Sequence, residues 1–145
     1  MSKFRFKFEN VKKVKEALET KTKKEIAQID IEIEEDNNQK QKLIDEKKNA
    51  LNKISRVSVK ASELRFCKNY ESLTEKKIQK IDEHMHKLGI RREIKIEELV
   101  EKKRETKILS KLEENMLDDF NKEQNKLDIK KFDEIATQKF VRQKK

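Results

Sequence analysis

The sequence contains no proline and a single glycine, Gly89, in 145 residues. Those two residue types are the usual punctuation between structural elements, so their near absence leaves few places for sharp turns. Apolar positions recur three and four apart, and 46% of residues are charged. A hydrophobic fraction of 33% is too small to fill a sphere of this length. It is enough for paired helices, each of which buries only a narrow stripe. Low hydrophobicity is also the mark of disorder, but the regular spacing of Ile and Leu and the abundance of Lys, Glu, Leu and Gln favour helix. Function is therefore expected on the surface of long helices and not in a catalytic cleft.

The formal net charge is +9, yet 29 acidic residues are interspersed among 38 basic ones. Most neighbourhoods mix both signs, as in "EKKRETK", and read as solvated helix faces. A positive balance permits phosphate binding, but no nucleic-acid motif and no pairing of basic patches with stacking aromatics accompanies it. No run approaches the roughly 20 apolar residues of a membrane span. Residues 1–30 lack the apolar core of a secretory signal, and a lone cysteine agrees with a cytosolic setting.

Along the chain, Phe4, Phe6 and Phe8 alternate with Lys3, Arg5 and Lys7. This opening reads as an extended lead-in, with Phe8 packing onto the first helix and Asn10 as a candidate cap. Ile26, Ile29, Ile33, Leu43, Ala50, Ile54, Val57, Ala61 and Leu64 then fall on one heptad seam, interrupted by Asp36, Lys40 and Lys47. Val11, Lys15, Leu18 and Thr22 join it through a stutter, which would locally unwind a left-handed supercoil. The serine-rich "SRVSVKAS" of residues 55–62 is the best place for a reversal. Beyond it Leu73, Ile78, Ile81, Met85 and Leu88 resume the stripe, which continues less regularly through Leu99, Leu109, Leu112, Met116, Phe120 and Leu127. Gly89 is expected to bend the second helix, at a cost of about 1 kcal/mol relative to Ala.

The expected fold is all-α: a long antiparallel two-helix coiled coil in one domain of residues 1–145. Helix 1 covers about 8–56, the bend about 57–64 within residues 55–66, and helix 2 about 65–140. Residue i should face a residue near 120 − i, along a first helix about 70 Å long. Residues from about 114 to 145 then overhang, carrying an apolar stripe (Ile129, Phe132, Ala136, Phe140) with no intramolecular partner. Such a stripe suits docking.

Other chemistry finds little support. His84 and His86 are two residues apart, about 200° around a helix, and cannot share a metal on one face. Cys67 has no second thiol and no base to activate it. The cluster Glu32, Glu34, Glu35 and Asp36 lacks the glycine-containing loop of a calcium site, and one glycine cannot build a phosphate cradle. Neither a cofactor, a metal nor a catalytic residue is expected.

Two terminal stretches carry a resemblance. "NKLDIKKFDEIATQKFVRQ" (Asn125–Gln143) is similar to the "LDxxxxDExA" ending of the flagellar export protein FliJ and its type III secretion relatives, and "FKFENVKKVKEALETKTKKEIA" (Phe6–Ala27) resembles that family's first helix. "QKQKLID" (Gln39–Asp45) and "NYESL" (Asn69–Leu73) fall where similar segments flank the family's bend. The resemblance implies a stalk-like antiparallel coiled coil without enzymatic activity, in an apparatus that serves flagellum biogenesis, motility and chemotaxis. It implies association with the hexameric export ATPase, the export gate protein FlhA and export chaperones, with no nucleic-acid partner. The chain would be monomeric and cytoplasmic, held at the inner face of the membrane only through the export apparatus.

The family's gate contact lies on both helices on the bend side. Gln39, Leu43 and His84 match it and Leu73 replaces an aromatic, whereas Glu46, Ala50, Lys77 and Lys80 depart from it. Leu43 serves equally well as an ordinary seam residue. For the ATPase, the resemblance and the overhang together point to Leu127, Ile129, Phe132, Ala136, Phe140, Lys139 and Arg142. Lys3, Arg5, Lys7, Lys12, Lys13 and Lys15 at the same end, with Lys144 and Lys145, would supply electrostatic steering. A generic coiled-coil scaffold pairing two chains, and a basic nucleic-acid binder, are the alternative readings.

Overall fold

The computed structural model describes residues 3–55 and 58–143. It has two helices, α1 (Glu9–Ser55) and α2 (Ala61–Gln143), packed antiparallel. No helix among the described residues is long and apolar enough to cross a membrane. The chain forms two compact units: Thr20–Val100, and Met1–Glu19 with Glu101–Lys145. Val57, Lys144 and Lys145, which the sequence reading places on the seam and at the basic end, lie outside the described residues.

Cross-helix pairs follow the expected register closely. In the Thr20–Val100 unit, Lys95 Nζ meets Glu25 at 2.9 Å, Arg92 Nε meets Asp30 at 2.5 Å and His84 Nδ1 meets Asp36 at 2.5 Å. Nearer the bend Lys40 meets Asp82 at 2.6 Å, and Lys47 meets Glu75 at 2.7 Å and Glu71 at 3.3 Å. In the other unit Lys15 meets Glu105 and Lys12 meets Glu113, both at 2.6 Å. Each partner lies within about five residues of 120 − i. These pairs alternate with apolar layers in which Ile29 and Leu88 are buried. Polar groups in a seam fix register at some cost in stability.

The bend is marked by caps as well as by weak helix formers. Ser55 Oγ donates to the Asn52 carbonyl at 3.1 Å at the end of α1. At the start of α2 the Glu63 carboxylate accepts from the Lys60 backbone N–H at 3.3 Å, one half of a capping box. The Lys60 carbonyl in turn accepts from the N–H groups of Glu63 and Leu64. Ala61 and Leu64 thus belong to the first turn of α2, where both are exposed, and do not continue the α1 seam.

Three further expectations change. The half-buried and buried positions at the start of α1 are Lys12, Lys15, Glu19 and Thr22, while Val11 and Leu18 are 47% and 40% exposed. The seam keeps its three-four rhythm without a stutter. Lys12 and Glu19 take the seam positions expected for Val11 and Leu18, and the stems of Lys12 and Lys15 lie along the seam with their charged ends extended to Glu113 and Glu105. On α2 the same substitution puts Thr74 in the seam, 3% exposed, and leaves Leu73 outside it at 58%. The Thr74 hydroxyl is satisfied by the Tyr70 carbonyl one turn back, at 2.8 Å.

The second change concerns Gly89. α2 runs unbroken through it with an ordinary backbone conformation. Good helix formers on both sides outweigh one unfavourable residue. The third is the lead-in. Lys3–Phe8 is non-helical as expected, but Phe6 is the buried anchor at 5% exposure and Phe8 is 39% exposed. The Phe6 and Phe8 rings meet edge-to-face at 5.9 Å, and Phe4 reaches Phe120 of α2 at 5.7 Å. Asn10 is inside the first turn, because the Phe8 carbonyl already accepts the Lys12 N–H at 2.9 Å.

Candidate functional site

Two surfaces, one in each unit, gather the residues singled out from the sequence. In the unit of the chain ends, every residue from Asn121 to Gln143 is exposed except Gln124. Phe132 is 71% exposed, Phe140 61%, Ile129 59% and Leu127 49%, with Ala136, Lys139 and Arg142 also open to solvent. They do not form a single face. Met116, Phe120, Gln124 and Leu127 continue the line that packs within the unit. At about 100° per residue, the stripe Ile129, Phe132, Ala136 and Phe140 is centred roughly half a turn away from that line. Leu127 therefore belongs to the inner line, and the stripe faces away from it. Ile135 and Val141, exposed at 50% and 58%, enlarge the apolar surface beyond the residues expected from the sequence. Their apolar character was visible there, but both lie off the three-four spacing.

The basic end is less charged than its residue count suggests. Lys12 and Lys15 are committed to Glu113 and Glu105, and Lys13 to Glu9 at 2.9 Å. Hydrogen bonds from these lysines to carboxylates hold the Lys12 and Lys13 pKa values above the usual lysine value, and that of Glu9 below the carboxylate range. Lys3, Arg5 and Lys7 are exposed. Lys3 and Arg5 border a depression of about 390 Å³ shared with Phe4, Phe120, Asp119 and Glu123.

In the Thr20–Val100 unit, Gln39, Leu43, Glu46 and Ala50 repeat at four-three-four spacing on α1, and Leu73, Lys77, Lys80 and His84 do so on α2. The second set forms an exposed ridge one residue before the seam positions Thr74, Ile78, Ile81 and Met85. The structure brings Gln39 and Leu43 together with Lys77 and Lys80 in one groove of about 450 Å³, also lined by Lys42, Glu46 and Ile81. Leu73 borders the adjoining depression with Lys76, Lys77, Lys80 and Glu83. His84 stands apart from both, its Nδ1 engaged with Asp36. Lys42 and Ile81 were missed by sequence reasoning, although the 120 − i register already sets Gln39 against Ile81.

Along the helix seam of this unit, outside the groove's lining, Lys40, Lys47, Arg92 and Lys95 are paired with carboxylates. Hydrogen bonds to Glu75 and Glu71 raise the Lys47 pKa, bonds to Glu98 and Glu25 raise that of Lys95, and Asp30 does the same for Arg92. Glu46 accepts a long hydrogen bond from the Tyr70 hydroxyl, at 3.4 Å. Cys67 is a half-buried free thiol on the seam side of α2.

Compared with known proteins, the chain matches the family model described as the flagellar FliJ protein over residues 4–145. No curated protein and no solved structure matches it.

Proposed function

The chain belongs to the FliJ family and is thus a component of the flagellar export apparatus; from that premise we propose that it links the hexameric export ATPase to the export gate protein. The stripe Ile129, Phe132, Ala136 and Phe140 docks on the ATPase, flanked by Lys139 and Arg142, while exposed Lys3, Arg5 and Lys7 steer the encounter. The ridge and groove around Gln39, Leu43, Leu73 and His84 receive the gate protein, and export chaperones bind the same stalk-like surfaces. The chain acts as a monomer without chemistry of its own, because its seam is satisfied by its own second helix. Its place is the cytoplasmic face of the membrane, reached through these partners.

One observation carries this reading. An 83-residue helix keeps its geometry to Gln143 while its last turns expose an apolar stripe turned away from the line that packs within its unit. A solvent-exposed stripe of large side chains on a continuous helix fits a groove in another protein. The test is stimulation of purified export ATPase by the full chain and by a Phe132→Asp, Phe140→Asp variant. Both residues are exposed, so the fold should persist and stimulation should be lost. Undiminished stimulation, by this variant or after removal of residues 125–145, rejects the assignment. Sedimentation of the free chain as a dimer would reject the monomeric part.

A further inference from the structure

The groove in the Thr20–Val100 unit brings exposed lysines of both helices to the edge of an apolar floor, off the seam in which the half-buried lysines lie. The half-buried lysines of the seam meet carboxylates: Lys40 with Asp82, Lys47 with Glu71 and Glu75, Lys95 with Glu25. Among the described residues Lys42, Lys77 and Lys80, which rim the groove, have no ion pair. Leu43 and Ile81, both half-buried, supply its apolar floor. Glu46, the acid on the rim, is engaged by Tyr70. The result is an apolar cleft of about 450 Å³ edged by three lysines that make no ion pair and by one carboxylate, Glu46.

We infer that this groove takes an acidic polypeptide segment presenting one large apolar side chain between carboxylates. The inference rests on the reading that the gate protein docks here, and it assigns the chemistry of the docking segment. The apolar side chain covers Leu43 and Ile81, removing surface from water. Carboxylates on either side pair with Lys42 on α1 and with Lys77 and Lys80 on α2, which also fixes the segment across both helices. Lysine suits this role because its ammonium is a point charge on a flexible stem and adapts to carboxylates at variable spacing. A nucleic acid fits less well. Its continuous charge would pass over Glu46 at one side and Glu83 at the other, and the apolar floor would remain uncovered.

The test uses the full chain and two kinds of probe. One is a fluorescein-labelled synthetic peptide with a single leucine flanked by glutamates, with a lysine-flanked counterpart; the other is the purified cytoplasmic domain of the export gate protein. Fluorescence anisotropy should show the acidic peptide bound and the basic one free. A Lys77→Glu, Lys80→Glu variant should weaken the acidic peptide about tenfold or more. A charge-matched Lys53→Glu, Lys87→Glu variant should leave it unchanged, which separates the groove from net charge. Raising NaCl from about 0.05 M to about 0.3 M should weaken binding as the screening length shrinks, whereas Leu43→Ser should weaken it at both salt concentrations. Helicity by circular dichroism should match the parent in both charge-reversal variants, since the substituted lysines are exposed and make no ion pair.

Equal binding of the acidic peptide to the parent and the Lys77, Lys80 variant overturns the inference, as does equal binding of the two peptides. A gate domain that binds the parent and loses the double variant supports both readings. A gate domain that binds both alike overturns the groove chemistry and leaves gate docking standing. An acidic peptide that binds in the groove while the gate domain ignores the parent removes the gate reading and keeps the groove chemistry. Duplex DNA that binds the parent and is lost in the same double variant, with no effect of Leu43→Ser, overturns it in favour of a polyanion site.

Discussion

Replacing Gly89 with alanine should stabilise the protein, and the size of the effect follows from the local geometry. Gly89 lies in the interior of α2, with no positive φ to explain its retention. A Cβ built there would meet nothing within 4 Å, so the substitution carries no steric cost. What remains is intrinsic preference: glycine is about 0.8–1.0 kcal/mol less favourable than alanine in a helix interior, chiefly because it loses more backbone freedom on folding. A gain of about 1 kcal/mol changes the folding equilibrium about fivefold. For a chain of this size it should raise the thermal midpoint by about 3–5 °C. Circular dichroism at the helical minimum, followed through heating and through urea, measures both quantities. The urea slope should be unchanged, since the surface exposed on unfolding is the same. A fall in midpoint, or no change, would mean that residue 89 is not in a continuous helix in solution. The bend expected from the sequence would then be the better description.

Other substitutions test the packing and the charges. Ile29→Ala, at 3% exposure in a thin core, should cost about 2–4 kcal/mol by chemical denaturation, whereas Phe132→Ala, 71% exposed, should stay within about 0.5 kcal/mol of the parent. Phe6→Ala should release the lead-in, seen as faster proteolysis before Glu9, while Phe8→Ala should not. The lysine pairs give a signed pH dependence. Carboxylates raise the pKa of Lys12, Lys47 and Lys95 in the folded state. Their contribution is fully present below the unfolded lysine pKa of about 10.4 and is lost as pH rises through the higher folded values. The thermal midpoint should therefore fall on the alkaline side. Lys47→Met, with Lys95→Met, should flatten that fall.

Much of the fold was legible because helix pairs obey simple arithmetic. The absence of proline, the serine-rich bend and the heptad rhythm together specify where the chain reverses, and a reversal near residue 60 sets Lys95 opposite Glu25 and His84 opposite Asp36. What could not be read is which of two neighbouring residues enters the seam. Hydrophobicity favours Leu73 over Thr74, Leu18 over Glu19 and Val11 over Lys12, and the structure chooses the second in each case. One residue's rotation of a helix brings all heptad positions into phase at once, so the register of Ile26 to Ile54 dictates the positions before Thr22 whatever their polarity. The same rule explains Phe6 and Phe8: period two makes them equivalent, and only the start of α1 at Glu9 decides which one turns inward. For the candidate surfaces, the residue types of the stripe were visible, but its angle relative to Phe120 and Leu127 was not used. The groove was hidden for a different reason. It is made by residues from both helices, and only a structure with side chains shows Lys42, Lys77 and Lys80 gathered around Leu43 and Ile81 without ion pairs of their own.

The angle of the stripe also separates two ways in which the proposed ATPase contact could be built. The lead-in is pinned to α2 through Phe4 and Phe120, and residues 121–143 continue the same helix. If Arg5 and Lys7 act in one interface with Ile129, Phe132, Ala136 and Phe140, the angle between the lead-in and the stripe matters. If the stripe binds alone, it does not. Inserting one alanine after Asn125 turns the stripe by about 100° and advances it by about 1.5 Å, while inserting four turns it by about 40° and advances it by about 6 Å. A composite interface tolerates the four-residue insertion better, despite its fourfold larger displacement along the axis. A stripe acting alone should tolerate both, since alanine preserves the helix in either case. ATPase stimulation by the two variants, beside the parent, reads the difference directly. Stimulation lost with one alanine and retained with four requires the basic lead-in and the stripe to be held at a set angle, a requirement that the buried Phe6 and the Phe4 contact would meet. Stimulation retained with both would confine the contact to the last turns of α2 and leave the lead-in a structural role only.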